Sequence, residues 1–138
     1  MITLSFIDVR TSGKEEIVDL TARVREIVAA SAMNDGRALL FVSGSTGALS
    51  TIEYEPGLLQ DLPRLLEALI PRKGPYRHDQ TWHDGNGHSH LRATLLGPSL
   101  AVPFADRRLL LGTWQQIVFL EFDNKPRQRR IAVQLMGE

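Results

Sequence analysis

All four histidines of this 138-residue chain lie in one short segment that follows Tyr76. They alternate with carboxylates, an amide and two glycines: His78, Asp79, His83, Asp84, Gly85, Asn86, Gly87, His88 and His90. Neutral imidazole binds transition metals and moves protons near pH 7. The glycines let the backbone turn sharply or approach a ligand closely. The segment is therefore the first place where chemistry is expected.

The spacing of His88 and His90 suggests a metal site if the chain is extended there. Side chains two residues apart on an extended chain share a face, so both imidazoles can reach one metal. Catalytic zinc commonly has three nitrogen or oxygen ligands and an open water position. On a helix the two histidines would diverge, and one would serve as a cap. The remaining alternative is a polar loop whose histidines hydrogen-bond backbone groups.

Two further motifs lie upstream of the histidines. The loop Gly44-Ser45-Thr46-Gly47 follows a predicted strand and can offer N–H groups and hydroxyls to a phosphate. It lacks the lysine and the length of a P-loop, so a tight strand connection is the alternative. Glu53 has apolar or hydroxylated neighbours, and a buried carboxylate there would need a cation, a metal or a proton. Its alternative is an exposed glutamate at a strand end.

Two motifs lie downstream. Residues 114–123 predict a strand with apolar residues on both faces, covered by core on one side and by core or another subunit on the other. Gln115 or Gln116 beside Trp114 can hydrogen-bond a ligand or a neighbouring chain. The basic run over residues 125–130 predicts a solvated turn and strand edge, with an anion site or an interface as the alternative.

The composition predicts one globular domain, residues 1–138, with 43% hydrophobic and 23% charged residues. The 16 basic and 16 acidic residues balance, which argues against nucleic-acid binding. No apolar run approaches the roughly 20 residues that cross a bilayer, and the first residues lack a signal-peptide pattern. Without cysteine there can be no disulfide or thiolate chemistry. We expect a cytoplasmic protein with no nucleic-acid or membrane partner.

Periodicity predicts helices over residues 15–30 and 58–70 and a third, short helix over 90–96. Pro63 is expected in the first turn of the second helix or at a kink. Alternation and β-formers predict strands over residues 3–10, 37–43, 49–54, 99–104, 108–111, 114–123 and 129–135. Strands on both sides of the helices predict a single compact α+β domain with a mainly antiparallel sheet and two to three helices.

Together these motifs resemble the YjbQ-like family of small proteins, whose members are also called secondary thiamine-phosphate synthase. The resemblance covers nearly the whole chain, and the stretch from His88 to Gln116 is specific. It is carried by residues 41–48 (FVSGSTGA), Glu53, residues 87–99 (GHSHLRATLLGPS), Val102-Pro103, residues 111–117 (LGTWQQI), Glu121-Phe122-Asp123 and Pro126-Arg127.

The resemblance implies a YjbQ-like α+β domain that forms a homotrimer. The implied activity joins a hydroxymethyl-pyrimidine diphosphate to a thiazole phosphate, giving thiamine phosphate as a weak, secondary activity. We therefore expect a transferase that acts on a small phosphorylated molecule. One alternative is a metal-dependent hydrolase or phosphatase that uses the same residues. The other is a non-catalytic metabolite-binding trimer.

The chain departs from the commoner branch of the family at two positions. There the loop matching residues 43–46 reads Pro-His-Thr-Thr, so Gly44 replaces a histidine, and an aspartate stands at the position of His88. The hypothesis is that one ligand has moved and that Glu53, His78, His88 and His90 converge.

The expected roles follow from this hypothesis. Catalysis is expected from His90, His78 and Glu53. Binding of a divalent metal, zinc or magnesium, is expected from His78, His88 and His90. Substrate or phosphate binding is expected from Ser45, Thr46, Asn86, Arg92 and Gln115.

Overall fold

Eight strands and four helices make up the protein, and the computed structural model describes residues 1–138. The strands are β1 (Ile2–Arg10), β2 (Glu16–Asp19), β3 (Gly36–Val42), β4 (Gly47–Ile52), β5 (Ser99–Ala105), β6 (Arg108–Leu109), β7 (Gln116–Glu121) and β8 (Gln128–Gly137). The helices are α1 (Thr21–Ala30), α2 (Pro56–Leu69), α3 (Arg77–Trp82) and α4 (Gly87–Leu96). The α+β prediction is confirmed, although the histidine segment adds a fourth helix.

All strand pairs are antiparallel, and they form two sheets. The larger sheet has the order β1-β8-β3-β5-β6, and the smaller sheet has the order β2-β7-β4. In the smaller sheet Gly47 pairs with Glu121 and Ile52 pairs with Gln116. The start of β4 therefore lies at the end of β7 that leads into Phe122.

The main core lies between the inner faces of the two sheets and α1, and Phe119 of β7 belongs to it. A second core lies between the other face of the smaller sheet and helices α2 and α4, around Val118, Leu120 and Leu66. Both faces of β7 are therefore covered by the protein's own chain. The predicted two-sided burial is confirmed, and no second subunit is needed to explain it.

Residues 16–19 form a strand, although the spacing predicts a helix over residues 15–30. Ile17 and Val18 pair with β7 and pack on opposite sides, Ile17 on the second core and Val18 on the main core. β-branched side chains fit such a two-sided position, and the partner strand overrides the local helical pattern. Helix α1 begins only at Thr21, whose N–H donates to Asp19 Oδ1 at 2.9 Å.

Pro56, and not Pro63, occupies the first turn of α2. The Glu55 carboxylate caps this helix by accepting hydrogen bonds from the N–H groups of Gly57 and Leu58. Pro63 lies in the interior, where it cannot donate the helical hydrogen bond to the Leu59 carbonyl. The predicted place of Pro63 in the first turn is therefore wrong, and the helix continues past it.

The outer face of the larger sheet carries an uncovered apolar patch. Phe6 and Phe41 are each 43% exposed and lie on either side of Ala132. Leu4 and Leu39 flank the next outward position, Gln134, in the same way, and Ile2 and Met136 extend the patch.

None of the helices combines the length and the apolarity needed to cross a membrane.

Candidate functional site

Two short helices and the turn between them place the histidines beside the end of β7. His83 (φ 54°) and Gly85 (φ +63°) have left-handed backbone conformations, which reverse the chain between α3 and α4. The Ser89 hydroxyl donates to the carbonyl of Phe122, directly after β7. This hydrogen bond fixes α4 against the smaller sheet.

His78, Asp79 and Asp84 form a group, called here the metal-ligand cluster, that could hold a metal ion. One ligand atom from each residue lies within 4.8 Å of the other two. His78 Nε2 is buried, has no hydrogen-bond partner, and lies 3.5 Å from Asp84 Oδ1. Two ligands of a tetrahedral zinc ion with bonds of about 2.1 Å are about 3.4 Å apart. The observed separation is long for a hydrogen bond and suits two ligands of one metal.

The backbone around Gly87 holds both carboxylates of the cluster. Asp79 Oδ1 accepts the Gly87 N–H at 2.9 Å, and Asp84 Oδ1 accepts the Asn86 N–H at 3.2 Å. A Cβ on Gly87 would lie 2.7 Å from Tyr76 Cβ, so glycine allows this close approach. Burial by itself would raise the pKa of Asp84, but the Asn86 hydrogen bond and the neighbouring His78 lower it. Asp84 is therefore ionised at neutral pH.

His90 lies against His78, with the ring centroids 4.3 Å apart and the planes tilted by 43°. Its nitrogens do not fall within the same 4.8 Å as the three cluster atoms. Burial, and then the positive charge that His78 can carry, lower the pKa of His90. The ring is therefore neutral near pH 7 and can accept a proton beside the cluster.

Helix α4 points His88 away from His78 and His90. Successive helical residues are about 100° apart, so His88 and His90 diverge by about 200°. The extended-chain prediction is therefore wrong. The two histidines diverge as the helical alternative expects, but neither is a cap, because both lie inside α4 and Asn86 is its N-cap residue. His88 is 4% exposed, its Nε2 lies 3.2 Å from Ser89 Oγ, and its Nδ1 is buried without a partner. Burial lowers the pKa of His88, as does the charge of Arg92.

The Ser45-Thr46 loop reaches the same end of β7. Thr46 is buried and donates from Oγ1 to Asp123 Oδ2 at 2.9 Å, and its Oγ1 accepts from Arg129 Nη2 at 2.8 Å. Arg129 also pairs with the fully buried Glu121. Thr46 is thus committed to an internal ionic network, whereas Ser45 is exposed.

The missing side chain of Gly44 has a structural reason. A Cβ at this position would lie 2.7 Å from Arg129 Nη1. The guanidinium of Arg129 thus takes the space that a side chain at position 44 would need. Since the Arg129 side chain is only 9% exposed and is paired with Glu121, it has little freedom to move aside.

Glu53 and Gln115 lie at the other end of the smaller sheet. The register runs five residue steps from Gly47 to Ile52, or about 17 Å at about 3.3 Å per residue. Glu53 is exposed and follows Ile52, while Gln115 is held by Gly112 N–H and Thr51 Oγ1. Within one chain, the predicted convergence of Glu53 with the histidines is therefore wrong.

Arg92 is part of the scaffold. Its side chain is 1% exposed, and all three guanidinium nitrogens are engaged by the Ile70 carbonyl, Glu15 and Glu67. The guanidinium closes the end of α2, where helical carbonyls lack partners. None of its nitrogens is left free to bind a phosphate, contrary to the expected role.

Asn86 is also a structural residue in this conformation. Its Oδ1 shares the Ser89 hydroxyl hydrogen with the Phe122 carbonyl and accepts, at 3.4 Å, from Asn124 N. It thus ties the start of α4 to the turn after β7. Asn86 is 4% exposed, so little of its side chain is open to a ligand.

Asp79 and Asp84 are candidate site residues that the sequence pattern did not single out as ligands. Both lie in the histidine segment, so the signal was present in their proximity to His78. What decides their role is the turn at residues 83–86, which folds Asp84 back towards α3. A count of spacing along the chain does not reveal that reversal.

Comparison with known proteins agrees with the fold and its motifs. Residues 5–138 match the profile of the family described as UPF0047 protein YjbQ-like. The chain belongs to the YjbQ-like family. A UPF0047 protein of Archaeoglobus fulgidus is 42% identical over 127 residues, which cover 92% of this chain and 96% of the relative. The predicted family is confirmed.

Two solved structures of similar proteins support the fold. A YbjQ-like protein of unknown function from Sulfolobus solfataricus P2 has a TM-score of 0.89 and 34% identity over 100% of both chains. A hypothetical protein from Aeropyrum pernix K1 has a TM-score of 0.90 and 32% identity over 99% of both chains. The YjbQ-like architecture therefore extends over the whole chain.

Proposed function

We propose that this YjbQ-like protein is a metal-dependent enzyme that acts on a small phosphorylated molecule. The observation that carries the proposal is the His78 Nε2 atom, buried without a partner and 3.5 Å from Asp84 Oδ1. His78, Asp79 and Asp84 would hold one divalent metal. His88, included among the ligands on sequence grounds, is left out because α4 turns it away.

The donor set favours hydrolysis as the reaction. Zinc accepts both imidazole nitrogen and carboxylate oxygen, and three such ligands would leave an open position at which water is activated. His90 is the nearest base and can accept a proton from a nucleophile at that position. Arg127, which is half exposed and acts electrostatically on His90, is a candidate cation for a phosphate.

Thiamine-phosphate synthesis is the second candidate, and the two carboxylates favour it. Asp79 and Asp84 suit magnesium, which prefers oxygen ligands and completes its shell with substrate phosphates. Magnesium held in this way would stabilise a diphosphate leaving group as charge develops on it. The pyrimidine carbon would then pass to the thiazole nitrogen, as the family resemblance implies.

A homotrimer of this chain, working in the cytoplasm, completes the proposal. The uncovered apolar face of the larger sheet, around Phe6 and Phe41, is the surface best suited to a second copy. A head-to-tail ring of three copies would also bring opposite ends of neighbouring subunits together. That arrangement would allow Glu53 and Gln115 of one copy to approach the histidines of the next.

Turnover assays distinguish the two reactions. Protein loaded with zinc or magnesium would be given phosphate monoesters, or the pyrimidine diphosphate together with the thiazole phosphate. Release of phosphate with zinc supports the hydrolase, whereas formation of thiamine phosphate with magnesium supports the transferase. His90→Ala should lower either rate by about a hundredfold or more, and His83→Ala should leave it unchanged. Ligand binding without turnover under both conditions would contradict an enzyme and favour the metabolite-binding trimer.

A further inference from the structure

A small pocket lies on the His88 side of α4, apart from the metal-ligand cluster. Its volume is about 200 Å³, and it is lined by Gly13, Arg72, Gly85, His88, Phe122, Asp123 and Asn124. A water molecule takes about 30 Å³ in the liquid, so the pocket has room for about seven. That space suits a single oxyanion with its first waters.

The hydrogen bonds of Ser89 determine which nitrogen of His88 carries its proton. The Ser89 hydroxyl has one hydrogen, and two oxygens, the Phe122 carbonyl and Asn86 Oδ1, share it as acceptors. The contact between Ser89 Oγ and His88 Nε2 at 3.2 Å then requires Nε2–H as the donor. His88 Nδ1 is consequently a bare acceptor, and it has no partner in the chain.

Arg72 supplies positive charge to the same pocket. Its side chain is 50% exposed, and Nη2 makes one long bond of 3.3 Å to Glu15, while Nε and Nη1 bond to nothing in the chain. The other charged group of the lining, Asp123, is already compensated. Its oxygens accept from Lys125 N, Thr46 Oγ1 and the Arg127 guanidinium.

We propose that this pocket is a binding site for hydrogen phosphate. The phosphate O–H would donate to His88 Nδ1, and the anionic oxygens would face Arg72. Sulfate has the same shape and charge but carries no hydrogen near neutral pH. It would bring an oxygen lone pair against the lone pair of Nδ1, so the site selects phosphate over sulfate. This selection does not depend on a metal at the neighbouring cluster.

Titration calorimetry of the full chain, with a chelator present, tests the proposal. Phosphate should bind saturably at one site, and sulfate at equal ionic strength should bind at least about tenfold more weakly. His88→Gln keeps a donor near the position of Nε2 and removes the acceptor, so it should abolish the preference. His88→Asn places a carbonyl oxygen near the position of Nδ1 and should restore it. Thermal unfolding checks that both variants are folded.

Charge variants test the role of Arg72. Arg72→Gln should weaken the binding of both phosphate and sulfate by about tenfold. Arg77→Gln, which removes an exposed charge from α3, should change either affinity by less than about twofold. His78→Ala should keep the phosphate preference, which separates this site from the metal proposal. Equal affinity for phosphate and sulfate, an unchanged preference in a folded His88→Gln variant, or no saturable binding would each overturn the inference.

Discussion

At the scale of single residues, the bare backbone at Gly44 leaves room for the Arg129 guanidinium beside Glu121. Gly44→Ala would place a Cβ 2.7 Å from Nη1 and displace a buried ion pair. We expect the free energy of unfolding in urea to fall by about 1–2 kcal/mol. At Gly112 the nearest atom to an added Cβ would be 3.6 Å away, so Gly112→Ala should be neutral or stabilising by up to about 1 kcal/mol. Equal losses in both variants would contradict this account of Gly44.

Asp123 makes the free energy of unfolding depend on pH in the acidic range. Burial would raise the pKa of its carboxyl, but hydrogen bonds from Thr46, the Lys125 N–H and Arg127 lower it. Such a group stabilises the fold above its unfolded pKa of about 3.9, and that stability is lost as the pH falls through the folded value. Asp123→Asn should therefore lower stability at pH 7 by about 1–3 kcal/mol and flatten its decline below about pH 4. Urea unfolding across this pH range measures both effects.

The control for Asp123 is Asp61→Asn, because Asp61 pairs only with exposed Arg64. Its stability at pH 7 should stay within about 0.5 kcal/mol of the wild type. If Asp123→Asn declines in acid as steeply as the wild type, the assignment of the acid dependence to Asp123 is wrong.

At the scale of elements, Arg92 joins α4 to the end of α2. Arg92→Met would leave the Ile70 carbonyl and the carboxylates of Glu15 and Glu67 without their shared donor. We expect a loss of roughly 3 kcal/mol in the free energy of unfolding. Arg64→Met, in an exposed pair on α2, should change it by less than about 0.5 kcal/mol. Similar small changes in both variants would show that Arg92 does not hold the helix end.

Sequence patterns predicted every helix and strand except β2 and α3, although with shifted ends. They failed at residues 16–19, because Ile17 fits both a helical stripe and a strand, and only pairing with β7 decides between them. They also failed at Glu53, because the motif gives its residue type and not the end of the sheet at which it lies. The histidine segment was identified, yet its division between His88 and the His78 cluster depends on the turn at residues 83–86.

At the scale of the whole molecule, the uncovered apolar patch on the larger sheet is the proposed contact surface of the homotrimer. Phe6→Glu would put a charge in the centre of the apolar patch, so a trimer built on this face should dissociate. Leu69→Glu, at an exposed position on α2, should leave the trimer intact. Light scattering gives the mass of each variant. A wild-type monomer, or a trimer that survives Phe6→Glu, would contradict this interface.

The central claim is that His78, Asp79 and Asp84 hold one divalent metal. Elemental analysis of purified protein, with His78→Ala and Asp84→Asn compared against His83→Ala and His88→Ala, tests it most directly. We expect about one bound ion per chain in the wild type and in the variants at His83 and His88, and loss of that ion in His78→Ala and Asp84→Asn. No metal in the wild type after incubation with zinc or magnesium, or equal metal in all five proteins, would contradict it.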